Sequence, residues 1–354
     1  MNTDAKLGPN TKFTVVGDGN GFLSRVILVE PEWTVREDHL PSSFILKISS
    51  CQHVQGLVEK MKTSNMFSEE QAVKIWETFG VQTQGLHNRE VNLYSIIEKW
   101  DKNDVMLNPK IYFSKKFDSN NRTKAFLGME AVPDVIIRHM YANAKPHELH
   151  PVLKSLAHLQ AERLDEKIKK VKALGADVIN FEIGDNLNKY VGIEHDVLVH
   201  GDLWAANILW KETEGVFSVS KVIDYQLIHM GNPAEDLVRL FLSTLSGSDR
   251  QNYWEKLVEQ FYEYFVDALE DQEAPYTLEQ LKESYRLYFV TGGLGMLPMY
   301  GPIAETKLAY SNSEDVGEYR EILTEKAEHL LEDMERWHLY SKDVTKNHEE
   351  VKAE

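Results

Sequence analysis

Cysteine is almost missing from these 354 residues: Cys51 stands alone. A single thiol excludes any intrachain disulfide and any metal centre built from several thiolates. The histidines, 13 in number, include no HExxH-type pair at metal-ligand spacing, which argues against a zinc enzyme. Positive charge is short too. Lys and Arg total 39 against 56 Asp and Glu, for a formal net charge of −17 at pH 7. A nucleic-acid binder would present a basic face, and docking on an anionic membrane would need one as well. Neither nucleic acid nor membrane is therefore an expected partner. No run approaches the roughly 18 apolar residues of a membrane span, and the opening MNTDAKLGPNTKF lacks the apolar core of a signal peptide. A reducing, cytoplasmic setting is the expectation.

What is present divides into two parts. TKFTVV and SRVILVE are β-rich and flank the turn GDGNG at 17–21, and LPSSFILKIS continues as a third strand. Residues 68–100 read as a helix, with Leu93, Ile97 and Trp100 at i, i+4 and i+7 on one apolar face. KIYFSKKF and RTKAFLGMEAV are two further strands joined by DSNN. From about Pro133 the pattern becomes mostly helical. Leu153, Leu156, Leu159, Leu164, Ile168 and Val171 share one side of a segment, and 250–270, 277–290 and 314–339 are similarly periodic. Two short strand-like runs, VLVHGD and VSKVIDY, interrupt the helices, and the charged tail KDVTKNHEEVKAE reads as frayed. The expected fold is α+β in two lobes: a small β-rich lobe with one long helix at 1–131, and a larger, mostly helical lobe at 132–354.

The stretch LVHGDLWAANILW, 198–210, sets Asp202 and Asn207 among apolar residues. Buried polar groups need partners or a task. Phosphoryl transfer needs a carboxylate to take the proton of an attacking hydroxyl and an amide oxygen to hold Mg²⁺, and H-x-D-x-x-x-x-N meets both needs in one loop. A capping Asp and a turn Asn are the plainer alternative. In KVIDYQ, Asp224 lies 17 residues beyond Asn207, a distance that fits a hairpin returning a second carboxylate to the Mg²⁺ shell. Gly17, Gly19 and Gly21 alternate between two strands and permit close backbone approach to phosphate oxygens, unless they form only a hairpin turn. Lys47 sits mid-strand in FILKI, where a lysine is disfavoured unless paired, and Glu90 of NREVNLY is its expected partner; a solvated edge-strand Lys and a surface helix Glu are the plainer alternative. TGGLGMLPMYGP at 291–302 has no lysine and no leading strand; it is expected to let helices approach closely.

Glycine loop, strand Lys, helix Glu, hairpin, HxDxxxxN and strand-end Asp follow the order of a kinase fold. HGDLWAANILW followed by IDYQ resembles the CHK-kinase-like (ecdysteroid-kinase-like) family, relatives of choline and aminoglycoside kinases, and GDGNGFLSRVILVEPEW is similar to its nematode branch. The resemblance covers roughly residues 13–340. It implies a two-lobed protein-kinase-like fold and an ATP- and Mg²⁺-dependent phosphotransferase acting on a hydroxyl of a small molecule. It implies Asp202 as catalytic base, Asn207 and Asp224 as Mg²⁺ ligands, and Lys47 on the phosphates, oriented by Glu90 under Gly17, Gly19 and Gly21. FLGMEAV then corresponds to the hinge, with Glu130 and Val132 offering backbone hydrogen bonds to adenine. His200 is expected to brace the loop, and Asp236 to secure either the loop or the start of its helix. Trp204 is either an acceptor wall or a core aromatic. HGD and DYQ replace the HRD and DFG of protein kinases, and GNPAEDLVRLF follows at once, which disfavours protein substrates. A catalytically inactive kinase-like binding protein and a choline- or ethanolamine-type kinase stay open, as do the acceptor and the oligomeric state.

Overall fold

The computed structural model describes residues 3–16, 24–35, 37–50, 69–100, 105–119, 121, 123–161, 184–301 and 315–353, with the backbone alone for 69–81, 184–186, 339 and 341–353. The chain forms two compact units, Met1–Asp101 with Asn108–Asp134, and Lys102–Leu107 with Val135–Glu354.

The first unit is a five-stranded sheet carrying one long helix. Strands β1 (Lys12–Val16), β2 (Ser24–Glu30), β3 (Phe44–Ser50), β4 (Ile111–Lys115) and β5 (Lys124–Glu130) pair in the order β1-β2-β3-β5-β4, antiparallel throughout. Their Val, Ile and Phe content suits a pleated, half-buried surface. β3 is central, and its Lys47 lies opposite Val26 on one side and Leu127 on the other. Helix α1 (Glu69–Ile97) buries Leu86, Glu90, Leu93, Tyr94 and Ile97, which recur at helical spacing along one face. A carboxylate in that apolar row is costly unless it is paired.

The second unit is mostly helical. Its strands are β6 (Ile136–Ile137), β7 (Val197–Val199), β8 (Ile208–Thr213), β9 (Val216–Val222) and β10 (His229–Gly231), arranged as a β6-β8-β9 sheet and a β7-β10 pair, all antiparallel. Glu214 and Gly215 join β8 to β9 with φ of +52° and +80°, a backbone twist suited to a two-residue hairpin turn. The helices are α2 (His150–Ala161), α3 (Gly184–Val191), α4 (Ala234–Thr244), α5 (Gly247–Leu269), α6 (Leu278–Tyr300) and α7 (Val316–Ala353). Ser246 caps α5 by accepting the Asp249 N–H at 3.0 Å, and Thr277 with Gln280 forms a capping box on α6. α2 packs on α5, α4 on α6, and α6 on α7. The expected close approach at TGGLGML is present: a Cβ on Gly292 would lie 2.7 Å from Val238 Cγ1, and one on Gly293 would lie 2.9 Å from Leu330 Cδ1.

This is the α+β, protein-kinase-like arrangement expected from the sequence: a sheet with one long helix, then a helical unit holding a β-hairpin. One expectation is corrected. The tail KDVTKNHEEVKAE is not frayed but continues α7 to Ala353. It is charged, yet it contains no Gly or Pro and is rich in Lys and Glu, which are good helix formers. Among the described residues no helix is long and apolar enough to cross a membrane.

Candidate active site

In the first unit Lys47 and Glu90 form a buried ion pair, Nζ to Oε2 at 2.8 Å, with side chains 7% and 1% exposed. One helical turn earlier, His87 fastens α1 to the sheet. Its Nδ1 accepts from Ser49 Oγ at 3.0 Å, and its Nε2–H donates to the Lys115 carbonyl at 2.9 Å. Burial pulls the His87 imidazole down to about 4, with the Lys47 charge adding to the shift and the Lys115 carbonyl opposing it, so the ring is neutral at pH 7. Glu130 ends β5. Its N–H donates to the Lys110 carbonyl at 2.8 Å, and its carboxylate accepts the Lys110 N–H at 3.1 Å. Val132 follows in the connecting segment. Gly17, Gly19 and Gly21 lie outside the described residues.

In the second unit the loop 200–207 joins buried β7 to β8. His200 is fully buried between the loop and the end of β9. Its Nδ1 accepts the Asp202 N–H at 3.2 Å, its Nε2–H donates to the Ile223 carbonyl at 3.1 Å, and Tyr225 packs on its ring at 4.4 Å. Burial pulls this imidazole to about 4 as well, which fits a neutral ring with one donor and one acceptor. Asn207 Nδ2 donates to the Asp202 carbonyl at 2.8 Å and to its Oδ2 at 3.2 Å. That turns the Asn207 amide oxygen to the opposite side. The Ile223 N–H donates to the Asn207 carbonyl at 3.0 Å. The next residue, Asp224, lies two positions beyond β9 in left-handed backbone, φ 68° and ψ 59°, which Asp tolerates better than most residues. Thus Asp202, Asn207 and Asp224 come together on one hydrogen-bonded frame with His200 at its centre.

Helix α4 grips that loop from one face. Asp236, Arg239 and Ser243 fall at i, i+3 and i+7. Asp236 accepts the His200 N–H at 2.7 Å and the Gly201 N–H at 3.0 Å. Arg239 Nη1 donates to Asp202 Oδ1 at 3.1 Å, and Ser243 Oγ accepts the Ala205 N–H at 3.0 Å. Burial pushes the Asp236 carboxyl up to about 6 while the two N–H donors pull against it. Arg239 and Ser243 are not evident from the sequence. Their three- and seven-residue spacing from Asp236 was the available signal, but any amphipathic helix shows it.

Trp204, midway along the loop, is half-buried and meets His139 edge-on at 6.4 Å. His139 stacks on Tyr141 at 5.2 Å, and Tyr141 on Tyr319 at 4.3 Å. The four rings form a partly open aromatic wall beginning two residues from Asp202.

The oxygens of Asn207 and Asp224 are hard donors of the kind Mg²⁺ prefers, and a Mg²⁺ held by one or two protein oxygens completes its shell with water and phosphate. Among the described residues no group of three or more His, Cys, Asp and Glu could hold a metal. The donor set therefore fits a substrate-assisted Mg²⁺ site rather than an all-protein cage.

Comparison with known proteins adds the following. "Uncharacterized oxidoreductase dhs-27" of Caenorhabditis elegans is 23% identical, over 80% of this chain and 39% of that protein. "Uncharacterized kinase-like protein D1044.1" of the same organism is 32% identical over 26% of this chain and 24% of its own length. Viomycin phosphotransferase of Streptomyces vinaceus is 44% identical over 12% of this chain and 15% of its own. The chain thus spans about two fifths of the first relative and less of the others. The GDP complex of wild-type aminoglycoside 2'-phosphotransferase-IIIa is similar over 94% of each chain at 14% identity, with a TM-score of 0.42. A family model described as "Uncharacterized oxidoreductase dhs-27" matches residues 1–163 and 161–342, and the chain belongs to that family, DUF1679.

Proposed function

We propose that this chain is an ATP- and Mg²⁺-dependent phosphotransferase that phosphorylates a hydroxyl of a small molecule, in a nematode branch of CHK-kinase-like enzymes. The observation that carries the proposal is the frame tying Asp202 and Asn207 to the strand end that bears Asp224. The kinase-like and phosphotransferase relatives support it. The oxidoreductase name of another relative does not transfer readily. A dinucleotide-binding half needs parallel βαβ units and a G-x-G-x-x-G turn. Every strand pair among the described residues is antiparallel, and the sequence contains no G-x-G-x-x-G.

Each residue then has a task. Asp202 accepts the proton of the acceptor hydroxyl as its oxygen forms a bond to the γ-phosphorus and the bond to the β–γ bridging oxygen breaks, releasing ADP. Asn207 and Asp224 would hold Mg²⁺, which supplies charge neutralisation at the phosphate oxygens. Lys47, held by Glu90, would bind the α and β phosphates under Gly17, Gly19 and Gly21. Adenine donates from its amino group and accepts at the adjacent ring nitrogen. The Glu130 N–H is already used by Lys110, so the Glu130 carbonyl and the Val132 N–H are the complementary pair. Trp204 and its stacked neighbours would form the acceptor wall. The single cysteine supports a reducing, cytoplasmic setting. A binding-only relative would be expected to have lost one of Lys47, Asp202, Asn207 or Asp224, and all four are present.

The test is incubation with labelled ATP and fractionated small-molecule extract, comparing the natural chain with Asp202→Asn. The expected result is a phosphorylated product that disappears in the variant while ATP binding persists. Undiminished turnover in Asp202→Asn would reject the assignment.

A further inference from the structure

We infer that Arg239 sets the charge class of the acceptor: the site takes neutral or anionic alcohols and rejects those carrying a cationic ammonium near the hydroxyl. The inference rests on the phosphotransferase reading above. Left alone, the Asp202 carboxylate would attract a cation. Its two oxygens are instead engaged, Oδ1 by Arg239 Nη1 at 3.1 Å and Oδ2 by Asn207 Nδ2 at 3.2 Å. The guanidinium stays protonated at any working pH and carries five donors in a fixed fork. Its side chain is 40% exposed, so it is open to an incoming ligand as well as to Asp202. A hydroxyl close enough to give its proton to Asp202 brings an ammonium on a neighbouring carbon into the same few ångströms as this permanent positive charge. Like charges at that range repel, moderated by solvent at a half-open site.

The aromatic wall points the same way, independently. A cage for a quaternary ammonium needs open ring faces. Here Tyr141 is sandwiched between His139 at 5.2 Å and Tyr319 at 4.3 Å, with ring planes within 20° and 29°. Both faces of Tyr141 are thus covered by its neighbours, and the rim it leaves carries the positive edge of the ring quadrupole. At Tyr141 the wall suits an apolar or planar body better than a cation.

The experiment uses the full chain with ATP and Mg²⁺ and follows the slow, Asp202-dependent hydrolysis of ATP by water. Two alcohols of equal shape compete with that water: choline, and its carbon isostere with a quaternary carbon in place of the ammonium nitrogen. The expected result is inhibition or phosphorylation with the neutral isostere at concentrations at least about tenfold below choline. Arg239→Gln should erase that ratio, and Arg239→Lys, which keeps the charge, should retain most of it, each normalised to the variant's own hydrolysis rate. Equal or better action of choline on the natural chain, a ratio unmoved by Arg239→Gln, or no action of either alcohol overturns the inference. Absence of Asp202-dependent hydrolysis is a different failure: it removes the phosphotransferase reading and this inference with it.

Discussion

Gly201 passes so close to Leu227 that a Cβ on it would run into the Leu227 carbonyl oxygen. Its φ of +80° also lies where only glycine sits without strain. The contact presses the loop bearing Asp202 against the turn that follows Asp224. Gly201→Ala is expected to destabilise the fold by at least about 1–3 kcal/mol from the backbone conformation alone, and to lower turnover. Thermal unfolding measures the first effect, and a melting temperature equal to that of the natural chain would contradict the close packing described.

Lys47 and Glu90 should separate stability from nucleotide binding. Removing one partner leaves a buried charge alone, so Lys47→Met is expected to cost about 3–5 kcal/mol. Lys47→Met with Glu90→Leu replaces both charges by apolar groups and should recover most of that loss. ATP affinity should fall in both variants. Restored ATP affinity in the double variant would show that the pair is structural only.

His87 predicts a pH dependence. The fold holds the imidazole neutral with a pKa of about 4, whereas the unfolded chain takes its proton near the ordinary 6.5. The stability this provides is fully present above pH 6.5 and is lost as pH falls through about 4. The loss is up to about 3 kcal/mol, since each tenfold change in proton affinity is worth roughly 1.4 kcal/mol. Denaturant unfolding of His87→Gln should therefore give a flatter curve between these pH values. Parallel curves for variant and natural chain would refute the assignment.

Ser243 tests the α4 grip without touching the reacting groups. Ser243→Ala leaves the buried Ala205 N–H without its acceptor, at a cost of about 1–3 kcal/mol. Turnover should fall more than ATP affinity, because Ala205 lies between Asp202 and Asn207 in the loop. Equal effects on both would argue against the role given to this face.

Chelation of Mg²⁺ should abolish turnover and leave the melting temperature of the nucleotide-free protein unchanged, since the proposed ligands are two side chains and not a structural cluster. A metal-dependent melting temperature without nucleotide would point to a different site.

The residues whose chemistry forces their spacing were legible in the sequence. Asp202 and Asn207 stand out because polar groups in an apolar run need partners, and Lys47 because a mid-strand lysine needs an anion. Arg239 and Ser243 were hidden for the opposite reason. Their spacing belongs to any helix with a buried face, and their partners are fixed only when that helix meets a loop more than 30 residues earlier, at |i−j| of 37 and 38. The tail differs again: its charge suggests fraying, whereas Lys, Glu and Ala without glycine or proline favour a helix, and propensity prevails. Within the β9 run, Asp224 was legible as a strand-end carboxylate. Its left-handed backbone, two residues past the last paired position, was not.

The dent left by Gly292 in α6 acts at a distance. Val238 occupies it from α4, between Asp236 and Arg239 on the same helix. The depth at which α4 lies on α6 is thus set by a missing methyl group, and α4 in turn carries the groups that hold Asp202. A side chain at position 292 would work as a lever, lifting α4 and shifting Asp202, the proposed base, through Arg239 and Asp236. Turnover of the proposed phosphotransferase is therefore expected to respond to exchanges among the smallest residues on a helix outside the proposed site.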